Sequence, residues 1–219
     1  MLGPELDWTA VEAPLVRELR GRHVTLRPVA ADDAEALFAV SQDPQIWTYL
    51  PYGPYESVEA MRSRLAQIEG SGDPLFFTVV SDGEPQGIVS YLRIDTENGS
   101  IEIGHIWFGT PLQQTTAATE AIYLLGSHAM DELGYRRFEW KCNALNQKSR
   151  RAAVRFGFTF EGVFRNHMVV KGRNRDTAWY SITDDEWPAI RDAFQAWLAP
   201  DNFDENGVQR RPLLATKGE

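Results

Sequence analysis

Apolar and polar positions change period several times along this chain, and each change marks an element. Residues 22–28 place Val24 and Leu26 in strand alternation. Asp32 and Asp33 then stand at the cap of a short helix, in which Ala34, Leu37, Phe38 and Val40 recur at helical spacing before Pro44. Ser57 caps a second helix that ends at Gly70. Residues 75–80 and 87–94 are β-branched and aromatic runs around Asp82-Gly83, and Asn98-Gly99 turns the chain into a further strand over 100–108. Tight turns make these three strands antiparallel neighbours.

From 115 to 133 the period is helical, with Ala118, Ile122, Leu125 and Ala129 on one face and Gly134 as the stop. Residues 138–143 return to strand, 146–155 to helix with Gly157 behind it, and 158–165 and 177–182 to strand, joined by the polar turn 171–176. An amphipathic helix over 184–198, capped by Asp184, closes the series. This order predicts a mixed α+β domain over 21–199, preceded by an extension, 1–20, and followed by a polar tail, 200–219, expected to be loose. The stretch 47–55, WTYLPYGPY, predicts an ordered loop that presents rings. Its Trp47 and Tyr49 either line a substrate pocket or cover the core from the side.

Composition narrows the function classes. The 219 residues are 43% hydrophobic and 24% charged, the balance of a globular chain rather than a disordered one. Basic residues number 22 against 31 acidic, a net charge of -9, so no general field attracts phosphate backbones and nucleic acid is not an expected partner. The same field favours cationic ligands, although acidity also serves solubility alone. The single cysteine, Cys142, forms neither an internal disulfide nor a zinc thiolate cluster, and it is expected to pack as a small apolar group on its strand. No base adjoins it in sequence, so covalent catalysis is not expected. No apolar run approaches the roughly 18 residues of a membrane span, and the first residues lack a signal pattern, which predicts a cytoplasmic protein with no membrane partner.

The candidate chemistry lies where the strand ending at Phe108 passes through residues 109–112 into Gln113-Gln114-Thr115-Thr116-Ala117-Ala118-Thr119 and the long helix. A helix start exposes unpaired N–H groups and the positive end of the dipole, and small side chains let a phosphate approach. A Thr-capped helix packed closely on a sheet gives the same pattern.

Strand, QxxTxA, long helix, strand, then NQKS before RRAAVRFGF together resemble the GNAT N-acetyltransferases. The segments ATEAIYLL, LGYRRFEWKCNALNQKSRRAAVRFGF and FEGVFR are most similar to the branch of Rim-type ribosomal-protein N-terminal acetyltransferases, and the likeness covers 21–183. The resemblance implies a mostly antiparallel seven-stranded sheet, splayed between its fourth and fifth strands, with acetyl-CoA in the split and no metal. It implies that amides of Gln114, Thr115, Thr116, Ala117 and Ala118 hold the pyrophosphate while Gln113 steadies the loop. Thr116 stands where the family usually has glycine, and its side chain either crowds the phosphate or donates to it. The resemblance further implies that the cofactor arm pairs with residues 106–108, that the Phe108 N–H polarises the thioester, that Asn146 touches the arm and that Ser149 protonates the departing thiolate. Lys148, Arg150 and Arg151 either meet the adenosine phosphates or form a solvated face.

The acceptor implied is a primary amine on a small molecule, a peptide or a protein N-terminus. Only a neutral amine attacks, and with a pKa near 10.4 for lysine or about 7.7 to 8.0 for an α-amine it needs a base. Glu102, six residues before Phe108, is the first candidate, at the offset where the superfamily's histone-type enzymes carry a carboxylate. His105 is the second; strict alternation puts it opposite Glu102 unless the strand bulges. His167 is the third, near where the Rim-type branch has an acid that the stretch 166–169 lacks. A homodimer through the final strands and the 184–198 helix is a further expectation. The alternative from another class is a non-catalytic acyl-CoA sensor on the same fold.

Overall fold

In a computed structural model, which describes residues 2–3 and 5–213, the alternating segments assemble into one eight-stranded sheet. The strands are β1 (Leu19–Arg20), β2 (Thr25–Pro28), β3 (Leu75–Ser81), β4 (Glu84–Asp95), β5 (Ser100–Phe108), β6 (Arg137–Asn143), β7 (Thr159–Val170) and β8 (Arg173–Thr183), in the order β1-β2-β3-β4-β5-β6-β8-β7. The eighth strand is β1, a two-residue addition within the expected extension, whose Leu19 is buried against β2. The expected split between the fourth and fifth strands therefore falls between β5 and β6. These two are the parallel pair of the sheet, in register only from Ser100↔Arg137 to Ile103↔Trp140. Beyond that point β5 continues through Phe108 without β6, which instead stays paired to β8 as far as Asn143↔Thr177.

Each face of the sheet carries its own core. On one face α3 (Thr116–Ser127), α4 (Gln147–Arg155) and α5 (Trp187–Leu198) cover Phe77, Tyr91, Ile101 and Phe138 with Ile122, Leu125, Ala153 and Phe194. On the other, α1 (Ala34–Val40) and α2 (Val58–Ile68) place Leu37, Met61 and Leu65 over Phe76, Ile88 and Trp107. The helical period expected to 133 ends in a π-helical turn, His128–Glu132, before Gly134 at φ 75°. Among the described residues no helix is long and apolar enough to cross a membrane.

Two buried polar side chains fix the approach to β2 and the segment that follows α5. Glu120, on α3, accepts the backbone amides of Arg22, His23 and Val24 at 2.9, 2.6 and 3.1 Å, and a Cβ on Gly21 would lie 2.5 Å from its carboxyl carbon. Asn202 accepts from the Arg211 amide at 2.9 Å and donates to the carbonyls of Trp197 and Arg211 at 2.8 and 3.2 Å. With Leu213 buried in the first core, the tail is pinned as far as it is described, contrary to the expectation from its polar composition. Residues 214–219 lie outside the described residues.

Candidate active site

The turn from β5 into α3 is organised by its own polar groups. Gln113 Nε2 donates to the Phe108 carbonyl at 2.9 Å, and Gln114 takes φ 63° to reverse the chain. Thr115 caps α3, accepting from the Ala118 amide at 3.1 Å and donating to the Leu112 carbonyl at 2.7 Å. The cap occupies one amide expected to hold phosphate, that of Ala118. The Thr115 amide is occupied by Leu112 O. Among the described residues the amides of Gln114, Thr116 and Ala117 donate to no protein acceptor, so three donors remain at the positive end of the helix.

A cleft of about 490 Å³ opens there, lined by Arg22, His23, Gln86, Leu112, Thr116 and Ala117 among others. Arg22, His23 and Gln86 carry no local motif and escaped the sequence reading. Glu120 draws the first two in from the approach to β2, and the Gln86 carbonyl accepts the Gly109 amide at 2.7 Å, which places its strand beside the cleft. Among the described residues the buried Gln86 Oε1 has no hydrogen-bond partner. Because the Gly109 amide points to β4, alternation turns the Phe108 N–H to the opposite edge, the one that β6 has left.

Across the split, Asn146 caps α4, its Oδ1 accepting the Ser149 amide at 3.1 Å. Ser149 Oγ accepts the Trp140 indole N–H at 3.0 Å, which leaves its own proton for another acceptor. Burial pushes the Cys142 thiol up, with Ser149 beside it partly offsetting the shift, so Cys142 is a packed, unreactive thiol. Lys148 reaches Gln45 and Arg150 reaches the Tyr180 hydroxyl at 3.1 Å, both away from the α3 start, while Arg151 is exposed.

The opposite face of the split is built from charge. Glu102 is buried, and its Oε2 accepts from Arg93 at 2.6 Å and lies 3.0 Å from Lys141 Nζ. Lys141, its side chain 6% exposed, also meets Glu139 at 2.7 Å and sits 3.7 Å above the Trp179 ring. Burial opposes charge on Glu139, yet Lys141 and Arg137 hold it below the ordinary carboxylate range. Arg137 in turn binds both oxygens of Glu161. None of Arg93, Lys141, Glu139 and Trp179 was singled out from the sequence, although alternation along 138–143 already sets Glu139 and Lys141 on one face.

β5 does bulge. Between Ser90↔Gly104 and Ile88↔Trp107 it holds one residue more than β4, and His105 takes φ 49°. The bulge delivers His105 to the face that carries Glu102, against Phe76 and stacked on Tyr52, whose hydroxyl lies 3.2 Å from Nδ1. Burial, reinforced by Arg64 and Arg93, pushes His105 down to about 4, so it is neutral near pH 7. His167 pairs through Nδ1 with the Thr177 hydroxyl at 2.9 Å and packs on Trp179.

The aromatic loop is strapped across this face. Lys171, in the β7–β8 turn, donates to the carbonyls of Trp47 and Gly53 at 3.0 and 2.9 Å, and the Tyr49 hydroxyl donates to Leu145 O at 3.1 Å. Trp47 itself is 1% exposed, donates to Ser41 O and packs on Trp107, so it covers the core from the side rather than lining a pocket. Tyr52 is the ring of this loop that meets His105. A gap of about 10 Å³ remains between Tyr52, Tyr55, Arg64, Phe76 and Trp107, about the space of one water. Among the described residues no group of His, Cys, Asp and Glu is placed to hold a metal.

Residues 23–159 match the model of the acetyltransferase (GNAT) domain. The fold is similar to the crystal structure of a GCN5-related N-acetyltransferase from Brucella melitensis, with a TM-score of 0.92, 47% identity and coverage of 94% of this chain and 96% of that one. In sequence the chain is 28% identical to the uncharacterized N-acetyltransferase p20 of Bacillus licheniformis, over 75% of this chain and 94% of that protein. It is 25% identical to the ribosomal-protein-serine acetyltransferase of Escherichia coli, over 71% of this chain and 90% of that protein.

Proposed function

Because the chain belongs to the GNAT family of acetyltransferases and is an acetyl-CoA-dependent N-acetyltransferase, we propose that its reaction runs in the split between β5 and β6 by direct attack of a primary amine. The single observation behind this assignment is that the edge of β5 freed beyond Ile103, next to the buried Glu102, runs to a helix start with three unoccupied amides. The residues present fit acetyl-CoA. The amides of Gln114, Thr116 and Ala117 take the pyrophosphate with Arg22 at the same cleft, and the β5 edge pairs with the pantetheine arm as an added strand would.

The Phe108 N–H donates to the thioester oxygen, where negative charge grows as the amine nitrogen bonds to the carbonyl carbon. Glu102 takes the proton that the nitrogen sheds, and His105, neutral and on the same face, is a second acceptor. The carbon–sulfur bond then breaks, Ser149 supplies a proton to the thiolate, and the proton held by Glu102 returns through solvent to Ser149. Asn146 acts through its cap, holding the α4 start and Ser149 in place.

The acceptor is a primary amine of a small molecule, a peptide or a protein N-terminus, and the protein works in the cytoplasm. A homodimer would use edge strand β7, where Phe160, Phe164 and Val169 are 47%, 53% and 79% exposed. The α5 helix is not a second interface, since Trp187, Ile190, Phe194 and Trp197 belong to the core.

A thermal melt with and without acetyl-CoA, followed by CoA release over a panel of primary amines, tests the reading. A ligand at a hundredfold excess over its Kd adds about 2.7 kcal/mol. The expected result is a raised melting temperature and amine-dependent release; an unchanged melting temperature at millimolar acetyl-CoA would refute the site.

A further inference from the structure

The face that carries Glu102 holds more positive charge than its own carboxylates neutralise. The register Lys141↔Trp179 sets Arg175, Thr177 and Trp179 on the side of β8 that continues the Glu102–Glu139–Lys141 row. Four cations lie along this row, Arg93, Arg137, Lys141 and Arg175, against three carboxylates. Glu102 is shared by Arg93 and Lys141, Glu139 by Lys141 and Arg137, and Glu161 belongs to Arg137. Among the described residues no carboxylate pairs with Arg175.

Among the described residues, two buried donors on β8 are also left without acceptors. They are Arg175 Nε and, four residues along the same face, the Trp179 indole Nε1. A buried donor without a partner is destabilising, and more so when charged, whereas Lys141 next to them is satisfied twice. Burial depresses the Arg175 guanidinium, with Arg93 adding to the shift and Glu102 partly offsetting it, as expected of a cation held partly out of water.

We propose that the amine acceptor carries a carboxylate, which pairs with Arg175 and the Trp179 indole N–H while the amine reaches the thioester edge of β5 beside Glu102. This rests on the transferase reading given above. The surplus along this row is one positive charge, which matches a carboxylate. A polyamine is disfavoured, because its second ammonium would face Arg93, Lys141 and Arg175 even though the whole chain carries -9. The carboxylate has two sources, the α-carboxylate of a free amino acid or the side chain of an acidic residue just after a peptide N-terminus.

The test measures CoA release by the purified enzyme at saturating acetyl-CoA. The acceptors are free amino acids against their carboxamides, C-terminally amidated tripeptides with Asp against Asn at the second position, and spermidine. In one of the two paired sets the acid form should exceed its neutral isostere roughly tenfold or more in kcat/KM, and the set that does so identifies the source. Arg175→Gln should collapse that ratio toward one, Arg175→Lys should restore part of it, and Trp179→Phe, which keeps the ring under Lys141, should lower it a few-fold. Equal use of acid and neutral acceptors, a preference for spermidine, or an unchanged ratio in Arg175→Gln overturns the proposal. Those outcomes leave the transferase reading standing as long as some amine is acetylated. Absence of release from every acceptor, with no rise in melting temperature on adding acetyl-CoA, overturns both.

Discussion

The two sides of the split are made of different material. At the α3 start the proposed working groups are backbone amides of Gln114, Thr116 and Ala117, left without acceptors because a helix cannot satisfy its own first turn. On the proposed acceptor face they are side chains, Glu102, Lys141, Arg93 and Trp179 held in place by one another and Arg175, unpaired among the described residues, beside them. A backbone site tolerates a change of residue as long as the side chain stays small, which is how Thr116 can stand where the family resemblance implies glycine. A side-chain site does not tolerate such changes, since removing one member strands a buried charge on the next.

Substitutions that break this contrast should differ in size. Glu102→Gln should lower kcat by roughly 10²–10⁴-fold in steady-state assays while the acetyl-CoA-induced rise in melting temperature persists. A variant as fast as the parent would place the base elsewhere, with His105 next in line. Lys141→Met should reduce the unfolding free energy by about 3–5 kcal/mol in urea, because Glu102 and Glu139 lose a shared cation inside the protein; a loss under 1 kcal/mol would mean that water reaches the row.

The His105 titration separates the sides by pH. Its folded value of about 4 lies below its ordinary 6.5, so between these pH values the unfolded chain binds more protons than the folded one. Stability should therefore be complete above pH 6.5 and fall as pH drops toward 4, by up to about 3 kcal/mol from this group. His105→Gln should flatten that limb in pH-dependent urea melts, and an unchanged slope would show that the ring is solvated. On the backbone side the effects should be smallest. Thr115→Ala should cost about 1 kcal/mol of stability through the lost cap. Thr116→Ala should change acetyl-CoA affinity by no more than about threefold in calorimetry, and a larger loss would make the Thr116 hydroxyl a ligand.

The turn and cap at the α3 start were legible because their signals are local. Small residues after a strand, Thr115 as cap and Gly134 as stop all act within a few residues of the groups they position. Even there the reading overcounted, since the Thr115 cap consumes the Ala118 amide and a turn bond the amide of Thr115 itself. Arg22 and His23 were missed because what brings them to the cleft is Glu120, far along the chain. Trp47 was an open choice between pocket and core, and packing against Trp107 decided it.

Periodicity, turn residues and caps thus determined by themselves the order of elements, the mixed sheet and the strand-to-helix unit at its centre, because hydrophobic period and capping act over one or two turns of chain. Tertiary structure alone decided the eighth strand, the pinning of the tail by Asn202, the bulge that swings His105 to the Glu102 face, and the row in which four cations meet three carboxylates. Those features depend on which strands become neighbours and in what register. Charges on β4, β5, β6 and β8 carry no mark in the sequence of the partners that pairing gives them.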